Sequence, residues 1–81
     1  TMQKVELWGA VKVGNQVYRD NEILQLIGKP IAHWKFADDL PNDECNICVG
    51  FGEEKRDFLG SDKYALPNAL DYARQCLGVV I

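Results

Sequence analysis

The chain contains one serine, one histidine and one methionine, and it has no apolar run long enough to cross a bilayer. Each shortage removes a class of activity. Ser61 reads as a turn or helix-capping residue, and His33 stands between Ala32 and Trp34, so no nucleophile adjoins the base in sequence. The start of the chain lacks the basic and then apolar segments of a secretion signal. Nine Lys and Arg against twelve Asp and Glu give a net charge of −3 with the signs interspersed. The basic footprint that nucleic-acid binding needs is therefore missing. The acidic clusters Asp38, Asp39, Asp43, Glu44 and Glu53, Glu54 are too short to imitate a nucleic acid. These absences predict no enzyme, no cofactor, no nucleic-acid partner and no membrane partner.

Cysteine is also sparse. Three is an odd number, without the dense spacing of a small disulfide-stapled secreted domain, and it predicts free thiols in a reducing compartment, the cytoplasm. Cys45 and Cys48 with His33 and Cys76 form the right inventory for a structural zinc. Spacing argues against it, because residues three apart on a strand point to opposite faces and a second C-x-x-C pair is absent. A thioredoxin-type pair needs a helix N-terminus, and the context is a strand. Cys45 is expected to pack beside Ile47 and Val49 as a small hydrophobe. A metal or small-ligand site through Cys45, Cys48, His33 and Cys76 stands as the alternative function. Asp38, Asp39, Asn42, Asp43 and Glu44 offer hard oxygen ligands, but their order is not that of an EF-hand and Pro41 stiffens the middle. A solvated loop is the expectation there. Acid–base work by Asp43, Glu44 or Asp71 has no support beyond residue type, and Asp71 falls on the outer side of a helix.

What is present describes a small globular domain. Eighty-one residues, 47% of them hydrophobic, suit one domain over residues 2–81, with Thr1 ahead of Met2 reading as a cloning remnant. From Val5 to Val13 the residues alternate at period two, which predicts a first strand with Val5, Leu7, Gly9, Val11 and Val13 on one face and Glu6, Trp8, Ala10 and Lys12 on the other. Gly14 and Asn15 allow a reversal into Gln16, Val17 and Tyr18. The segment from Asp20 to Pro30 has two readings. Local signals give a short helix bearing Ile23, Leu26 and Ile27, ended by Gly28 and Pro30. A strand over Glu22 to Ile27, bent at Gly28 and continuing through Ala32, Trp34 and Phe36, is the other. Asp38 to Asp43 reads as loop, Cys45 to Val49 as a half-buried strand, Gly52 to Arg56 as a hairpin tip, and Asp57 to Leu59 as a further strand. Leu66, Ala69, Leu70, Ala73, Leu77 and Val80 then recur at helical steps. Pro67 has no N–H to donate, so the regular helix is expected to begin near Ala65 or Leu66, after a tight turn, and Gly78 to end it. The predicted fold is α+β: an antiparallel sheet of three to four strands with one C-terminal helix on one face.

The run Ile27-Gly28-Lys29-Pro30, the strand Asp43-Glu44-Cys45-Asn46-Ile47, Gly60, and the helix residues Ala65-Leu66 and Ala69-Leu70 resemble a small bacterial family of unknown function. Its members share a Gly-Arg-Pro turn, an acidic-aromatic-Cys strand and a Gly-x-Asp turn before a Gln-Ala-Leu helix. Glu44 here stands at the aromatic position and Tyr64 at the glutamine. The resemblance implies an antiparallel sheet with one C-terminal helix, favours the strand reading after Glu22, and transfers no activity.

One helix covers one face of a sheet, so the reverse face is polar or is covered by something else. Trp8 belongs to that reverse set, and aromatics are favoured anchors in interfaces. Either a partner or a long loop of the chain itself covers it. The expected function is a non-enzymatic protein-interaction module of inhibitor, immunity or accessory type, binding a protein partner or its own copy. Trp8, Tyr18, Trp34 and the acidic residues Asp38, Asp39 and Asp43 are its expected contact residues.

Overall fold

The alternating run from Val5 to Val13 does not remain one strand. In the computed structural model, which describes residues 4–37, 46–59 and 63–78, it breaks at Gly9 into β1 (Val5–Trp8) and β2 (Ala10–Val13), and the two halves join different sheets. Gly9 has φ 149°, a backbone conformation that L side chains rarely adopt, and a Cβ there would stand 3.2 Å from the carbonyl oxygen of Asn46. The remaining elements are β3 (Gln16–Arg19), a 3₁₀ helix (Asp20–Leu26), β4 (Lys35–Phe36), β5 (Asn46–Phe51), β6 (Glu54–Leu59) and α1 (Ala65–Leu77). All strand pairing is antiparallel, in the orders β1-β5-β6 and β3-β2-β4. The fold is thus α+β with one C-terminal helix, and its strands form two three-stranded sheets.

The reversal at Gly14 and Asn15 is a two-residue hairpin between Val13 and Gln16, with positive φ at the first central residue only, the signature of a II′ turn. Gly52 plays the same part between Phe51 and Glu54. The second hairpin is therefore tighter than the predicted charged tip, and β6 begins at Glu54.

Between Asp20 and Leu26 the local helix signals prevail over the strand reading that the family resemblance favoured. Asp20 sits at φ 50°, where Asp is better tolerated than most residues, and turns the chain out of β3. Glu22 reaches back to the backbone N–H of Arg19, half of a capping box. The result is a 3₁₀ helix whose Ile23 and Leu26, three apart and hence eclipsed, both face the core. Asn21 accepts a 2.7 Å hydrogen bond from the Leu7 N–H, and Asp20 donates its own N–H to the Gly9 carbonyl. These bonds place the helix against the outer edge of β1, which would otherwise carry unpaired backbone groups.

The regular part of α1 starts at Ala65, so Pro67 occupies the third helical position, where the N–H has no intrahelical partner to lose. Gly78 closes the helix in the left-handed conformation, its N–H bonding the Gln75 carbonyl. Leu66, Ala69, Leu70 and Ala73 are buried, and with Val5, Leu7, Val11, Ile23, Leu26, Ile47 and Val49 they make one core shared by both sheets, the 3₁₀ helix and α1. Leu77 departs from expectation: it is 50% exposed. It lies along the same stripe as Leu70, but at the last residue of the helix, with no described element beneath it. Val80 lies outside the described residues.

Candidate interaction face

The register of β1, β5 and β6 sorts their side chains into two layers. Val5, Leu7, Ile47, Val49, Phe51 and Phe58 share the face covered by α1, because residues directly opposite in an antiparallel pair project to the same side. The other face carries Glu6, Gly50 and Lys55 in one row, Trp8, Cys48 and Asp57 in the next, and Asn46 with Leu59 beyond. Trp8 is 40% exposed and Leu59 64%. Among the described residues no element covers this face.

Trp8 is seated rather than splayed. A Cβ on Gly50 would lie 2.8 Å from the indole ring, so the ring occupies the space where any other residue would put its side chain. Lys55, from the row beyond, places its ammonium 5.5 Å from the indole centroid, within reach of a cation–π contact. The indole is thus held between bare backbone and a cation, with its outer surface presented to solvent. Beside it a hollow of about 190 Å³ is lined by Trp8, Ala10, Arg19, Asp20, Asn46 and Cys48. The Cys48 thiol is pushed above its ordinary value by burial first, and then by its hydrogen bond to Asp57 and that carboxylate's charge, with Lys55 pulling the other way. At neutral pH it is a protonated, weakly reactive group.

The edge of this sheet is built differently from its face. β6 reads Glu54-Lys55-Arg56-Asp57 along its free side, and charged side chains on an edge oppose pairing with another strand. Arg56 is also engaged, its guanidinium lying 5.6 Å from the Phe58 ring and 5.3 Å from that of Tyr72.

Tyr18 and Trp34, also expected as contacts, are not on this face. Tyr18 pairs with Val11 in the second sheet and turns toward the core. Trp34, in the segment before β4, packs edge-on against Phe36 at 5.0 Å and borders α1. Asp38, Asp39 and Asp43 lie outside the described residues, as does Cys45. The described members of the alternative metal set are dispersed. Cys48 is on the open face, His33 is exposed in the segment before β4, and Cys76 is on α1, where it accepts from the Tyr72 hydroxyl and holds that phenol above its usual range. Among the described residues no three of His, Cys, Asp and Glu are grouped so as to hold a metal ion. No helix among them is long and apolar enough to cross a membrane. Comparison with protein-family models, curated proteins and solved structures finds no match.

Gly50 and Lys55 are the site residues that the sequence alone does not suggest. The available signal was weak: a glycine ending an apolar strand, read with the hairpin register, falls beside Trp8.

Proposed function

We propose that this chain is a non-enzymatic protein-interaction module, of inhibitor, immunity or accessory type, acting in a reducing compartment such as the cytoplasm. Its contact surface is the open face of the β1-β5-β6 sheet. The observation that carries this reading is Trp8 packed against Gly50 while 40% exposed. A pre-positioned indole loses little conformational freedom on binding, which is what an interface anchor requires. The charged edge of β6 argues for docking by face rather than by strand addition.

The sheet face alone is smaller than a standard interface, whether the partner is a different protein or a second copy. Three strands about 4.8 Å apart and roughly five residues long at about 3.3 Å each offer on the order of 250 Å². A standard interface buries about 800 Å² per partner. A partner seated on Trp8 therefore reaches past the sheet, over the hollow beside Asn46 and the mixed charges of Arg19, Asp20, Lys55 and Asp57. Photo-crosslinking from position 57 in a lysate of the source cells would identify the bound protein, and calorimetry with the purified pair would then measure it. Trp8→Ala is expected to weaken that complex by about thirtyfold or more, the loss typical of an interface hot spot, while Leu77→Ala leaves it unchanged. Equal binding by Trp8→Ala, with its fold verified by circular dichroism, would overturn the proposal.

A further inference from the structure

A second surface, remote from Trp8 in the fold, has the makings of a small-molecule site. The segment after the 3₁₀ helix and the first half of α1 enclose a groove of about 500 Å³, within the range of ligand pockets. About half of its lining is apolar and aromatic, supplied by Ile31 and Trp34 on one side and by Tyr64, Pro67 and Leu70 on the other. Trp34 is held in place by its edge-on contact with Phe36, so this wall is already formed.

The rim has a definite sign. Among the described residues, Lys29, Lys63 and Arg74 border the groove against one carboxylate, Asp71, in a chain whose net charge is −3. Arg74 stands 3.8 Å from Asp71, so that pair largely cancels and the two lysines set the local field. Lys63 lies 5.0 Å from the Tyr64 ring centroid, at the mouth. It also precedes the N-terminus of α1, the end of the helix dipole that repels cations and attracts anions. The first turn of α1 carries no acidic residue. A basic residue in that position weakens the helix, and an anion bound beside it would relieve the repulsion.

We propose that this groove binds a small amphipathic anion, an aliphatic or aryl carboxylate whose apolar body lies along Trp34 and Pro67 and whose charge faces Lys29 and Lys63. The apolar wall supplies contact area, and the lysines decide the headgroup.

The chain's two tryptophans provide an internal control. In a ¹H–¹⁵N spectrum the indole N–H signals of Trp8 and Trp34 are resolved and assigned with Trp8→Phe, and the wild-type protein is titrated with decanoate below its micelle concentration. The Trp34 signal is expected to shift saturably while that of Trp8 stays in place, and decanol, equally long and uncharged, is expected to bind several-fold more weakly. Lys29→Gln with Lys63→Gln should weaken decanoate binding by about tenfold and leave decanol unchanged, since an exposed pair changes affinity by up to about fivefold each. Asp71→Asn should strengthen it. The lysine changes are on the surface, and neutralising Lys63 removes an unfavourable charge from the helix start, so loss of fold does not obscure the result. An unmoved Trp34 signal, equal movement of both signals, or equal affinity for decanoate and decanol would each overturn the proposal.

Discussion

Replacing Gly50 by Ala tests whether the candidate face is organised as described. A methyl group at that position would stand 2.8 and 2.9 Å from two atoms at the far end of the Trp8 ring, closer than carbon atoms approach. The backbone of β5 is fixed by partners on both sides, Glu6 and Lys55, whereas the indole is at the surface. The indole is therefore the part that moves, swinging off the sheet. Trp8 keeps 40% of its surface exposed, so of the roughly 250 Å² that a tryptophan can bury, about 150 Å² is covered. Losing about half of that coverage at roughly 25 cal/mol/Å² costs about 2 kcal/mol. Alanine returns about 0.5–1 kcal/mol, because glycine in a strand is the more costly residue to order. The net expectation is a destabilisation of about 1 kcal/mol, or roughly 4–8 °C in Tm for a domain of this size. Iodide quenching of Trp8, measured with and without Gly50→Ala in a Trp34→Phe background, should rise together with a red shift of emission. An unchanged quenching constant with a raised Tm would show that only glycine entropy had been removed, and it would refute the seating of Trp8 on Gly50.

Three further outcomes follow from the same geometry. Gly9→Ala forces a Cβ into a positive-φ conformation 3.2 Å from the Asn46 carbonyl and should destabilise by about 1–3 kcal/mol, read as a lowered urea midpoint with an unchanged slope. Asn21→Ala removes the acceptor for the Leu7 N–H and should cost about 1 kcal/mol, with faster amide hydrogen exchange at Leu7 as its specific sign. Cys48 should react with iodoacetamide only at higher pH than an ordinary thiol, because its raised value keeps it protonated. Asp57→Asn should move the rate profile back toward lower pH, since it removes the negative charge that disfavours the thiolate and supplies an amide N–H that can donate to it.

Much of the layering was legible in the sequence because it follows from period. The odd residues Val5, Leu7 and Val11 are core and the even residues Glu6 and Trp8 face out, as alternation requires, whereas Ala10, also even, is buried because the chain changes sheets at Gly9. Leu66, Ala69, Leu70 and Ala73 are buried, and Pro67 falls where an N–H is dispensable. What pattern does not carry is where a strand changes partners. Gly9 interrupts a run whose alternation continues unbroken on both sides of it, so the periodicity is the same whether β1 and β2 share a sheet or not. The 3₁₀ helix was hidden for another reason. Its Ile23 and Leu26 spacing suits a tight helix or a bent strand, and the choice is made at long range, by Asn21 reaching Leu7 fourteen residues away. The aromatic residues show the same limit. Trp8, Tyr18 and Trp34 look equivalent in sequence, yet cross-strand register sends Tyr18 to the core, and only Trp8 finds a glycine to lie on.

The break at Gly9 also explains why the open face ends where it does. Had β1 run on as a single strand to Val13, Lys12 would extend the same outer layer, and the row holding Trp8 would sit in the middle of a longer polar sheet. Instead the chain leaves after Trp8, and the Gly9 N–H donates to the Asp20 side chain while the Gly9 carbonyl accepts from the Asp20 N–H. Trp8 therefore occupies the last position of β1, paired with Cys48 of β5 and bordering the hollow where the strand ends. A partner approaching the indole meets its exposed surface beside Lys55, with a recess next to it bordered by Arg19 and Asp20. The two sheets meet at that recess, so a substitution that shifts Gly9 should loosen the binding surface and the core together, whereas one at Leu59 should alter the surface alone.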